Sequence, residues 1–78
     1  MREKTERYVA TFSTTTAALA MEGACRAAGV PGRLIPVPRS ISAGCGMCWS
    51  APREAAAAVE ELIVGEHLEV DGLYVILL

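Results

Sequence analysis

A chain of 78 residues makes one small domain, which buries roughly 60–65% of its unfolded surface and leaves little room for a large enclosed pocket. A net charge of −2, with the basic residues dispersed, argues against nucleic-acid binding, because phosphate contacts need a clustered basic face. There is no apolar run of about 18 residues to span a membrane, and the start Met-Arg-Glu-Lys-Thr-Glu-Arg lacks the apolar middle of a signal peptide, so a cytoplasmic protein without membrane contact is expected. In that compartment three cysteines read as free thiols rather than a disulfide framework.

Residues 1–6 are charged and are expected to form a loose leader before a single domain over 7–78. Tyr8-Val9-Ala10-Thr11-Phe12 is rich in strand formers and ends at Ser13-Thr14-Thr15-Thr16, which offers several helix N-caps. The helix that follows runs to about Ala28. Its Ala17, Met21, Ala24, Cys25 and Ala28 share one stripe, which makes Cys25 a core residue, and Gly29 fits the position just past its end.

Gly32 to Val37 reads as a second strand, restricted by Pro36 and Pro38 to a sheet edge or a strand end. Met47-Cys48-Trp49-Ser50-Ala51 reads as a third strand, with Trp49 favoured as a core anchor. Pro52 suits the first turn of a second helix whose buried face is Ala55, Ala56, Val59, Leu62 and Ile63 and which Gly65 ends. Leu73-Tyr74-Val75-Ile76-Leu77 reads as a last, mostly buried strand; alternatively, Asp71-Gly72 could turn a hairpin within 68–77. The order β-α-β-β-α-β predicts an α+β, ferredoxin-like two-layer sandwich with two helices on one face of an antiparallel sheet.

The segment Pro36-Val37-Pro38-Arg39-Ser40-Ile41-Ser42-Ala43-Gly44-Cys45-Gly46 carries the candidate chemistry. Glycine on both sides leaves the backbone of Cys45 free to bend and its sulfur free of bulky neighbours. The expected topology puts this loop at the same end of the domain as Thr14 and Thr15 and the link through Glu66 and His67. There the N–H groups and positive dipole end of the first helix, with Arg39, would favour a thiolate. Ser40, Ser42 and the threonine hydroxyls could donate to a bound anion.

Cys45-Gly46-Met47-Cys48 is a C-x-x-C pattern, but a dithiol needs its Cα atoms within about 7 Å. Three residues of extended strand span roughly 10 Å, so a thioredoxin-type role requires a tight turn at 44–48. A closed zinc site needs four ligands, and Cys45, Cys48 and His67 fall short of that, so no metal or other cofactor is expected.

The strand 8–12, the helix with Ala17 and Glu22, and Arg33-Leu34-Ile35-Pro36-Val37-Pro38-Arg39 with Ile41-Ser42 and Gly44-Cys45-Gly46 together resemble the small bacterial proteins described as selenium/sulfur carrier-like. The resemblance runs from about residue 8 to Val70-Asp71-Gly72-Leu73-Tyr74. It implies that Cys45 carries sulfur or selenium as a persulfide or selenosulfide, received from a donor protein and handed to an acceptor. Such a protein is a carrier or accessory rather than a turnover enzyme. Cys48 lies outside the resembling pattern and is either incidental or the thiol that resolves a persulfide on Cys45. The competing readings are a small binding or regulatory module and a thiol-redox protein using Cys45 and Cys48. A homodimer is compatible with the small core and an open sheet edge.

Overall fold

The computed structural model describes residues 4–41 and 44–78. The elements are β1 (Glu6–Thr11), α1 (Thr15–Ala28), β2 (Arg33–Pro36), β3 (Met47–Pro52), α2 (Ala56–Gly65) and β4 (Gly72–Leu77). They form an α+β fold with a four-stranded antiparallel sheet in the order β2-β3-β1-β4. β3 lies between β1 and β2, and β1 lies between β3 and β4. Among the described residues no helix is long and apolar enough to cross a membrane.

Successive strand residues point to opposite faces. Tyr8, Ala10 and Phe12 of the first strand segment, with Trp49 and Ala51 of β3, make the helix-facing side of the core. Ala18, Met21 and Cys25 of α1 and Val59 of α2 close it from above. Trp49 is a core residue, as its sequence context favours, and a Cβ on Gly32 would come within 2.7 Å of its ring. On the other face Val9, Thr11, Cys48 and Ser50 are also buried, although no helix covers them. Long neighbours lie over that face: Arg7 bonds to Ser50, and the Tyr74 hydroxyl reaches back over Gly72.

Helix boundaries follow from caps. Thr14 has an extended backbone and its Oγ1 accepts from the Ala17 N–H at 3.1 Å. At the other end Gly29, at φ 73°, donates to Arg26 O while Val30 donates to Cys25 O, a Schellman closure. α2 ends at Gly65, as expected, but its closing turn is not on a glycine. The left-handed position falls on His67, at φ 53°. His67 donates to Val64 O and Leu68 to Ile63 O, the same closure built on a histidine. Pro52 closes β3, and a short 3-10 turn, Arg53–Ala55, leads into α2.

The last strand also departs from expectation. β4 is a single edge strand rather than a hairpin, and it is not mostly buried: Leu73, Val75 and Leu77 are 41%, 46% and 59% exposed. They pair with Ala10, Tyr8 and Glu6 on the helix side of the sheet, where the helices leave the outer strand half-open. An apolar run by itself does not distinguish a central strand from an edge.

Candidate functional site

The described residues of the β2–β3 connection are joined by backbone bonds. Val37 donates to Gly46 O at 3.0 Å and Ile41 to Pro38 O at 3.2 Å. The loop is tied to the end of the first strand segment as well: the Cys45 N–H donates to Phe12 O at 3.4 Å. Each flanking glycine has a separate physical reason. A Cβ on Gly44 would stand 3.0 Å from Ser13 O, so only glycine allows this approach without displacement. Gly46 sits at φ 77°, a left-handed conformation that costs other residues about 1–2 kcal/mol. Together they seat Cys45 against the β1–α1 junction.

The Cys45 side chain is half-buried at the edge of the core, and its thiol donates to Met47 O at 3.3 Å. The other two cysteines are inaccessible, Cys25 and Cys48 both being 0% exposed. Cys25 lies inside the α1 stripe with its sulfur 3.6 Å from that of Met21, and burial pushes its thiol up. Cys48 pairs with Thr11 and Ile35 in mid-sheet. Burial, and secondarily Cys45, push its thiol up to about 11. A neutral, enclosed thiol is a poor nucleophile.

The remaining expected residues are distributed unevenly around Cys45. Thr14 is the N-cap of α1 and Thr15 its first, exposed residue, so both stand at the helix start, shortly after the Phe12 carbonyl that the cysteine loop bonds. Arg39 is exposed in the turn after Pro38, and among the described residues it makes no ion pair and no side-chain hydrogen bond. Ser42 lies outside the described residues. The α2–β4 link reaches this end, as expected, but through Asp71 rather than Glu66 or His67. Asp71 N donates to Thr11 O at 2.7 Å, and the Ser13 hydroxyl donates to its carboxylate at 3.4 Å. Ser13, Thr14, Glu69 and Asp71 line a small notch of about 110 Å³ beside the helix start. Ser13, Asp71 and the Met47 carbonyl carry no local sequence signal; their places depend on how distant segments meet.

The profile of one protein family, described as "Putative Se/S carrier protein-like", matches residues 7–75. No curated protein and no solved structure matches the chain.

Proposed function

Because the chain belongs to the Se/S carrier protein-like family, we propose that it is a sulfur or selenium carrier in which Cys45 holds the chalcogen atom. The observation that carries the choice of residue is accessibility: of the three cysteines, only Cys45 is open to a partner. In the sulfur case the Cys45 thiolate attacks the outer sulfur of a donor persulfide. The new S–S bond forms on Cys45 as the donor's S–S bond breaks. The donor cysteine leaves as a thiolate and takes a proton, so no external oxidant is required. The loaded atom then passes to an acceptor thiol or another nucleophile by the same exchange in reverse.

In this reading Arg39, Ser42 and the hydroxyls of Thr14 and Thr15 stabilise the terminal sulfur or selenium anion. Thr14 can serve twice, since its oxygen accepts from the helix and its proton remains to donate. The interleaved strand order is read as the ferredoxin-like arrangement, which brings the cysteine loop and the start of α1 to one end. Donor and acceptor proteins would dock at that end in the cytoplasm, and the protein itself turns over no substrate. The burial of Cys48 weighs against a dithiol redox role and against a resolving role in this conformation.

Labelled sulfur transfer from a cysteine desulfurase tests the assignment. Cys45→Ala is expected to abolish labelling, while Cys48→Ala retains at least about half of it. Labelling that survives Cys45→Ala, or that disappears with Cys48→Ala alone, would contradict it.

A further inference from the structure

The helix-free face of the sheet carries a second cavity, of about 550 Å³, lined by Lys4, Thr5, Arg7, Arg33, Ile35, Ser50 and Leu78. It lies toward the end of the sheet away from the cysteine loop. Cys45 precedes Met47, which pairs with Pro36, whereas the cavity gathers around Ser50 and its partner Arg33. Its size is in the range of small-molecule pockets.

The charge at this cavity is unlike that of the whole chain. The protein carries −2 overall, yet three of its cations converge here and, among the described residues, no Asp or Glu lines the walls. Among the described residues the only ion pair is Arg26 with Glu22, on α1, and Lys4, Arg7 and Arg33 pair with none of the described carboxylates. Arg7 is already positioned. Its Nε donates to Ser50 Oγ at 3.0 Å and its Nη2 to Ser50 O at 3.3 Å. A guanidinium has five N–H donors, so most remain for a ligand. Ser50 itself is only 3% exposed. At the rim, Thr5 and Leu78 exchange both backbone bonds, at 3.1 and 3.0 Å, which fixes this end of the sheet.

We propose that this cavity binds the phosphoryl group of a small organic phosphate. Three cations exceed what a single carboxylate neutralises, and they match a phosphoryl dianion. The planar donor forks of Arg7 and Arg33 suit its oxygens. Ile35 and Leu78 supply an apolar wall for the organic part, and the volume exceeds what a bare phosphate fills. The site is independent of Cys45 and of any role given to it.

Amide NMR titration of the whole chain with phenyl phosphate tests this, with inorganic phosphate, benzoate and a phosphoserine peptide as separate arms. Phenyl phosphate is expected to shift the amides of Arg7, Arg33 and Ser50 saturably, binding at least about fivefold more tightly than any of the other three. Arg33→Gln and Lys4→Gln, at exposed positions, should each weaken it by at least about fivefold while leaving the rest of the spectrum in place. The proposal is overturned by a non-saturable response, or by binding unchanged in both variants. Benzoate as tight as phenyl phosphate would remove the preference for phosphate, and inorganic phosphate as tight would remove the organic part. A tighter phosphopeptide would reassign the site to a modified partner protein.

Discussion

At the scale of single residues, reactivity is decided by which sulfur can be reached. Gly44 lets the loop close on Ser13 O, Gly46 lets it turn back into β3, and between them Cys45 is left half-open. Cys25 and Cys48 are buried, and burial raises both thiols. Iodoacetamide at neutral pH should therefore modify Cys45 first. Cys25 and Cys48 should react at least about tenfold more slowly, until the protein is unfolded. Peptide mapping of a partly alkylated sample reads this directly, and early labelling of Cys48 would show that the mid-sheet site opens more readily than its burial implies. The half-open setting of Cys45 was legible from its glycine neighbours, although only Gly46 answers a local backbone requirement, while Gly44 answers a contact with distant Ser13. The burial of Cys48 followed only once β3 was known to lie between β1 and β2.

At the scale of elements, the closing turn of α2 shows what local sequence can and cannot tell. Gly65 is the last helical residue, as its sequence position suggests, yet the left-handed closing position falls two residues later, on His67 at φ 53°. An L-residue there costs about 1–2 kcal/mol relative to right-handed backbone, a cost that glycine largely avoids. His67→Gly is expected to stabilise the protein by about 0.5–1 kcal/mol in urea unfolding. A loss of stability would mean that the histidine side chain contributes packing that offsets its backbone cost. The first helix was legible at both ends, since Thr14 and Gly29 act through their own neighbours. The exposure of β4 was not, because whether Leu73, Val75 and Leu77 are covered depends on where α2 lands relative to the outer strand. An α+β fold with two helices and an antiparallel sheet could be anticipated from the order of elements, whereas the tie between Asp71 and Thr11 could not.

At the scale of the whole molecule, burial of acidic groups is expected to make the fold sensitive to alkali. Burial and the hydrogen bond to Glu60 push the Tyr8 hydroxyl up from 10.0 to about 12. Burial raises Cys48 from 9.0 to about 11, and Cys25 in the same direction. A raised pKa means that the folded state holds its proton when the unfolded chain has released it. The stabilisation is fully present below pH 9 and is lost as pH rises toward about 11 for Cys48 and about 12 for Tyr8. For Cys48 the loss is on the order of 3 kcal/mol. Urea unfolding between pH 8 and 11 should show this decline, on a scale of about one pH unit per 1.4 kcal/mol for each group. Cys48→Ala should make the decline shallower; an unchanged slope would place the alkaline sensitivity elsewhere.

The proposed function depends on Cys45 as the carrier of the transferred atom. The most direct test is the intact mass of a variant that keeps only Cys45, with Cys25 and Cys48 replaced by alanine, after incubation with a cysteine desulfurase and cysteine. The account predicts a mass gain of one sulfur atom, removed by cyanide or by a thiol. A variant that stays folded yet gains no mass, under conditions in which an established sulfur carrier is loaded, and that also fails to take up selenium from a selenium donor, would contradict it.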